Sequence, residues 1–584
     1  MKKINLKPLA IIIFAALFMS GCAGLKKMKK NADQINFQVT PEVLETHGGK
    51  VDVAIDGQFP AKYFNKKVTL VATPVLKYAN GETPYESVTV QGEKVGDNNK
   101  VISYENGGNF TYKDAADYKD DMRLSDLEIR ITASKGAKSL DFDPIKVADG
   151  VLATSSMVVN FPQAIIGVQR EKNTTGIYDP YIDAFQRIVP DHFTADIHYL
   201  INSAEIRKTE LSAEDIQKLK QYTKDAFEAE RKELKGVDVS AYASPDGALD
   251  LNTKLSEKRS GTSSNYLEKE FKKEAIEAQL NTKFTPEDWE GFQEMMQESN
   301  IQDKELILRV LSMYSDPEVR EREIKNLSQA FTVVAEDILP RLRRAKITTN
   351  VDLIGKTDEE IAALAESNPA ALNPAELLYA ATLTTDKSKQ LKIYNSFQKV
   401  YPDDWRGYNN AGTVLAQQGK FSDAKPLFEK AESLKNDEPI IKNNLGVVAL
   451  AANDVNAAEA LFGAASGAGA EVNYNLGIVA IKKGEYDKAV QLLGNSDSPN
   501  AGLAKVLAGD NNGALKSLES CTWEGCYMTE YFKAVVGART AKENLMYESL
   551  EKAVKMKPEL KAKAATDLEF AKYFEDVRFK EIVK

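Results

Sequence analysis

Residues 412–428 read Gly-Thr-Val-Leu-Ala-Gln-Gln-Gly-Lys-Phe-Ser-Asp-Ala-Lys-Pro-Leu-Phe, and three later stretches fall into the same register. Gly412, Gly446, Gly477 and Gly502 stand at equivalent positions. Twelve residues after each comes an alanine (Ala424, Ala458, Ala489, Ala514), and four further on a large apolar residue (Phe428, Phe462, Leu493, Leu518). A second glycine follows the first by seven residues in three copies, at Gly419, Gly484 and Gly509. Small residues are needed where two helices approach closely, and large ones fill the space between helices. The pattern predicts paired helices joined by short turns.

The first two copies are 34 residues apart, a spacing that resembles the tetratricopeptide repeat, a helix–turn–helix unit. The next spacings, 31 and 25, are trimmed. Pro402 and Pro558 close two further degenerate copies, one on each side, so the repeats are expected over residues 375–584. The resemblance implies an all-α solenoid that binds a protein partner. Within it, Cys521-Thr-Trp-Glu-Gly-Cys526 reads as a small-loop disulfide in an oxidising compartment; four intervening residues exclude a redox Cys-x-x-Cys.

Upstream, residues 192–356 alternate strand and helix: a strand at 195–200, a helix at 211–235, a strand at 237–243 and a helix at 250–273. A helical insertion over 274–340 and a strand at 346–353 complete this region. Ala241-Tyr-Ala-Ser-Pro-Asp-Gly247, Asn252 and Leu255-Ser-Glu-Lys-Arg-Ser260 resemble the OmpA C-terminal, peptidoglycan-associating family. The resemblance implies a domain that holds the diaminopimelate side chain, with Arg259 forked onto its carboxylate and an acid paired with its ammonium. The family's Asp falls at Ser244, and Asp246 lies two residues later on a Ser-Pro-Asp-Gly turn. Asp246 and Asn252 have a second reading, as residues that only organise the turn and the helix start. Trp289 and Arg341-Leu-Arg-Arg344 in the insertion read either as a partner surface or as core plus a solvated basic face.

From 36 to 150 the apolar period is two, as in Val51-Asp-Val-Ala-Ile55 and Leu127-Glu-Ile-Arg-Ile131, with turn signals such as Asn80-Gly81 and Asn106-Gly-Gly108. Six or seven short strands predict an immunoglobulin-like β-sandwich, a spacer or an adhesion surface. Pro74 points to an edge strand or a bulge. Residues 151–191 carry little periodicity and read as a linker.

Residues 1–21 form an export signal: Lys2, Lys3 and Lys7, then an apolar run from Leu9 to Met19, too short to cross a membrane. Ser20-Gly21-Cys22 resembles a bacterial lipobox, which implies lipid attachment at Cys22 and an outer-membrane lipoprotein on the periplasmic side. An ordinary secretory signal with a chance cysteine is the other reading. Residues 22–35, with Lys26-Lys-Met-Lys-Lys30, follow as a basic tether, suited to an anionic membrane surface or simply solvated.

The whole chain has 584 residues, 43% hydrophobic and 28% charged, an ordinary globular balance. Its net charge of −10 becomes −13 once residues 1–21, with three lysines and no acid, are removed. That charge argues against a nucleic-acid partner. Three histidines cannot build a multi-zinc protein, and no cofactor is implied. Gly355-Lys-Thr357 lacks the upstream glycine of a phosphate loop, where Asn350 stands, and no nucleophile elbow or metalloprotease motif occurs. The sequence thus predicts a non-enzymatic multidomain scaffold or, alternatively, a plain structural tether.

Overall fold

Alternating apolar residues in the N-terminal third build two β-sheets. The first holds β1 (Asn36–Thr40), β2 (Leu44–His47), β3 (Lys50–Phe59), β8 (Gly108–Asp117) and β12 (Val151–Leu152). The second holds β4 (Thr69–Tyr78), β5 (Gly81–Pro84), β6 (Val88–Gly92), β7 (Lys100–Ile102), β9 (Ser125–Lys135), β10 (Lys138–Asp141) and β11 (Ile145–Asp149). Inward residues of both, among them Val51, Val53, Ile55, Leu70, Leu76, Ile129 and Ile131, share one core. This is a computed structural model, and it describes residues 24–167, 185–301, 304–326, 332–494, 496–523 and 525–584. Cys22 and the export signal lie outside the described residues.

Two expectations for this region change. Pro74 lies on a central strand, because β4 pairs with β9 on one side and with β5 and β6 on the other. Its carbonyl accepts from the Tyr85 N–H at 3.0 Å, so its donor-less nitrogen faces the same side, where β6 has ended and β5 has yet to begin. A proline is tolerated mid-sheet where no ladder bond is required of it. The basic tether, in turn, is helical over residues 24–30: Leu25 and Met28 enter the sheet core, Tyr63 donates to the Met28 carbonyl at 2.9 Å, and Lys26, Lys27 and Lys30 remain exposed.

Residues 185–383 form a separate compact unit. Its sheet runs β13 (Ile188–His198), β16 (Arg344–Ile354), β14 (Lys232–Tyr242), β15 (Leu280–Thr285), with only the β14–β15 pair parallel. Helices α1 (Glu214–Glu228) and α2 (Leu249–Glu274) pack on it through Ile216, Leu219, Leu267 and Phe271. Strand β15 falls inside the stretch expected to be helical. Beyond it, α3 (Trp289–Glu298), α4 (Lys304–Met313) and α5 (Pro317–Asn326) enclose their own core of Phe292, Met296, Ile307, Leu311 and Leu342.

The C-terminal helices are α6 (Lys387–Val400), then the pairs α7 (Trp405–Gln417) and α8 (Phe421–Leu434), α9 (Pro439–Ala451) and α10 (Val455–Ala464), α11 (Ala470–Lys483) and α12 (Tyr486–Leu493), α13 (Pro499–Leu507) and α14 (Asn511–Glu519), α15 (Tyr527–Arg539) and α16 (Glu543–Met556). The repeat glycines sit where the reading requires. A Cβ on Gly412 would lie 2.7 Å from the Phe428 ring, on Gly446 2.6 Å from Phe462, on Gly477 2.3 Å from Leu493 and on Gly502 2.4 Å from Leu518. Ala424, Ala458 and Ala489 are fully buried at the same seams. Among the described residues no helix is long and apolar enough to cross a membrane.

The N-terminal sheets and these helices form one compact unit, into which residues 184–383 are inserted. Across the seam His47 Nδ1 lies 2.8 Å from the Tyr486 hydroxyl, Thr154 bonds Glu569, and Gly48, at φ +57°, leaves no room for a Cβ against the Lys483 carbonyl.

Candidate binding groove

Each repeat carries an asparagine two residues before its glycine: Asn410, Asn444, Asn475 and Asn500. That position puts the carboxamide on the first helix of each pair, and all four are completely buried. Buried carboxamides need partners for two donors and an acceptor. Here the partner is the backbone of the chain's own residues 159–167, which were expected to be part of a linker.

Each asparagine grips one residue by both its N–H and its C=O. Val159 donates to Asn500 Oδ1 and accepts from its Nδ2, both at 2.9 Å. Gln163 does the same with Asn475 at 2.7 and 2.8 Å, Ile165 with Asn444 at 2.7 Å each way, and Gly167 with Asn410 at 2.7 and 3.0 Å. From 163 to 167 the step is two residues per repeat, the spacing at which an extended chain presents its polar groups to the same side. Between 159 and 163 the chain makes a tight turn, with Phe161 N–H on the Val159 carbonyl, and Pro162 follows it. The strap therefore runs against the order of the repeats.

The asparagines also bond to one another. Asn475 donates to Asn443 Oδ1 at 2.9 Å, Asn443 to Asn444 at 3.1 Å, Asn444 to Asn409 at 2.8 Å, and Asn409 to Asn410 at 3.1 Å. This continuous chain of amides fixes the orientation of those five carboxamides, while Asn500 donates to the Tyr474 hydroxyl at 3.2 Å. The groove reads backbone and is indifferent to most side chains. Shape supplies what selectivity it has: Ile165 is 1% exposed within the repeat core, and a Cβ on Gly167 would lie 2.7 Å from the Trp405 indole. Net gains of about 0.5–1.5 kcal/mol per hydrogen bond stand against roughly 1–2 kcal/mol to order each residue. Burial of Met157 and Ile165, about 1.5–3 kcal/mol each, then decides whether the strap stays in place.

The sequence-predicted site in the inserted unit is brought together but is engaged internally. Arg259, on α2, is 1% exposed. Its Nε donates to the Ser203 carbonyl at 3.0 Å, Nη1 to Tyr242 at 2.8 Å and Nη2 to Leu200 at 3.2 Å, and the guanidinium lies 5.1 Å from the centre of the Tyr199 ring. Burial pushes its pKa down to about 10. Asn252 donates to the Ser244 and Gly247 carbonyls at 3.1 and 2.9 Å and so organises the turn. Ser244 bonds Asp246, and Arg343 donates to both, at 3.1 Å to Ser244 Oγ and 3.2 Å to Asp246 Oδ2. The sequence reading missed Arg343 as the partner of Asp246. It also read Arg341-Leu-Arg-Arg344 either as a partner surface or as core plus a solvated basic face, whereas Arg344 is 8% exposed and bonds Asp196 and Asp288 at 2.8 and 3.1 Å.

Cys521 and Cys526 are free thiols, which departs from the expected bridge. Cys521 Sγ approaches Thr529 Oγ1 at 3.5 Å, while Cys526 stands at the residue before α15, where its thiol makes no capping bond. Among the described residues no group of three or more His, Cys, Asp or Glu side chains could hold a metal ion.

A tetratricopeptide-repeat family model matches residues 409–470 and 443–496. No curated protein matches the chain. Similar solved structures include PilW, a type IV pilus biogenesis factor, at 16% identity over 39% of this chain and 98% of that one, TM-score 0.27. A tetratricopeptide repeat protein from Parabacteroides merdae is 14% identical over 39% and 89%, TM-score 0.28. YrrB, a repeat protein with an unusual peptide-binding site, is 18% identical over 37% and 100%, TM-score 0.21. With the repeat register, the glycine contacts and the family match in agreement, the C-terminal helices form a tetratricopeptide-repeat solenoid.

Proposed function

We propose that this chain is a non-enzymatic outer-membrane lipoprotein facing the periplasm, an envelope scaffold whose repeats hold a protein component of an assembly, secretion or transport machine. The observation that carries the reading is the asparagine ladder, a surface built to hold extended polypeptide and not to carry out chemistry. The Ser20-Gly21-Cys22 end of the export signal supports the lipid anchor. Two sheets around one core support the immunoglobulin-like assignment, and the β-α-β-α-β order with a returning antiparallel strand supports the OmpA-like one. A simple tether to peptidoglycan is the weaker reading, because the charges it would use, Arg259 and Asp246, already have partners inside the domain.

The test is purification of the native protein from solubilised outer membrane. A scaffold brings down a stoichiometric protein, whereas a tether brings down sacculus alone. Cys22→Ala should release the chain into the soluble periplasm; a variant that stays in the membrane with the same N-terminal mass as the native protein overturns the lipoprotein assignment.

A further inference from the structure

The repeat groove already holds a ligand, and that ligand belongs to the same chain. We propose that residues 158–167 are a resident occupant that closes the groove, and that its exchangeable ligand is an extended peptide segment of another protein with the strap's own chemistry. That chemistry is a backbone with free alternate N–H and C=O groups, a branched aliphatic residue for the slot of Ile165, and glycine two positions later against Trp405. The inference rests on the proposal that the repeats bind polypeptide, and adds that binding requires the strap to leave.

Three observations favour exchange over a permanent staple. The asparagines grip main-chain atoms, so an extended segment reproduces the six bonds that Gln163, Ile165 and Gly167 make. Asn160 and Phe161 remain exposed, and Pro162 carries no N–H, so the middle of the strap makes fewer bonds to the ladder than its ends. At the Gly167 end, Trp405 also lines an open cavity of about 850 Å³ with Tyr401, Arg406, Lys435 and Ile440. An incoming strand can begin pairing there and displace the strap one repeat at a time, from Asn410 towards Asn500.

The experiment uses the full chain and a fluorescent synthetic peptide with the sequence of residues 157–167. Wild type should show little binding by anisotropy. Gly167→Val, which drives the strap off Trp405, should bind the glycine-containing peptide at least tenfold more tightly, and adding Asn475→Ala should reverse that gain. Equal binding by wild type and Gly167→Val shows that the strap is no gate and overturns the proposal. Hydrogen exchange on wild type supplies the second measurement. The Ile165 and Gly167 amides should exchange well before those of α9 and α11; exchange only with global unfolding makes the strap a permanent part of the fold and sinks the idea. Failure of the native pull-down with success of the peptide test would remove the machine partner while leaving the gate intact.

Discussion

Asn444 does the work of a short strand with one side chain. Its Oδ1 accepts from Ile165 N–H and its Nδ2 donates to Ile165 C=O and to Asn409; Asn409 and Thr413 also donate to that carbonyl, both at 3.1 Å. Asn444→Ala leaves a buried donor unmet and weakens the hold on a buried acceptor, at about 1–3 kcal/mol for each unsatisfied group. We expect urea denaturation to show a loss of about 2–4 kcal/mol in the transition of the repeats; a loss under 0.5 kcal/mol would mean that water replaces the carboxamide freely. A second single-residue test concerns Asp246, whose charge is taken up by Arg343. If the domain keeps any affinity for peptidoglycan, Arg343→Ala should raise sedimentation with purified sacculi above wild type, and equal sedimentation would place the contact elsewhere. The glycines and alanines of the repeats were legible because sterics demand them at a fixed spacing. Asn410, Asn444, Asn475 and Asn500 stand just as regularly, and their constant place two residues before each glycine was the signal available. It went unread because an asparagine on a helix is ordinarily a surface residue, and its burial here depends on a strap 240 or more residues away in sequence. At the fifth pair the equivalent position is Val535, and the ladder ends there.

Helix pairing tests the same register at the next scale. Gly446→Ala should stabilise α9 by about 1 kcal/mol on helix propensity alone. Its Cβ, however, would lie 2.6 Å from the fully buried Phe462 ring, and overpacking costs typically 1–3 kcal/mol. We predict net destabilisation by thermal or urea unfolding, with the same sign for Ala458→Leu; a stabilised Gly446→Ala would show that α9 and α10 can move apart cheaply. Elements with one buried face were readable from their period, as β3 and β9 show by strict alternation. Strand β15 was not, since Leu280-Asn-Thr-Lys-Phe-Thr285 is an edge strand with no buried residue and therefore no imprint of a core. The strap escaped for a related reason: an element held through its backbone places almost no constraint on its side chains. Pro74 was read from a rule about strands in general, and only the break between β5 and β6 shows why a central strand accepts it.

At the scale of the whole molecule, contiguity in sequence was the misleading guide. Composition divides the chain into successive segments, yet the first and last thirds share one unit, and the central 200 residues are an insertion in it. Such closure is written only in long-range contacts, here His47 with Tyr486, Thr154 with Glu569, and the strap with the ladder. Because the strap runs against the repeats, it leaves the groove over Trp405 on α7, and the chain returns through α6, which packs against that same helix. Joining residue 183 directly to 384 should leave the N-terminal sheets, strap and repeats folded, with the wild-type exchange protection at Ile165. The excised 184–383 fragment should show its own cooperative melt. A joined chain that loses protection at Ile165 while its helices remain would mean that the inserted unit, and not the asparagine ladder, holds the strap in its groove.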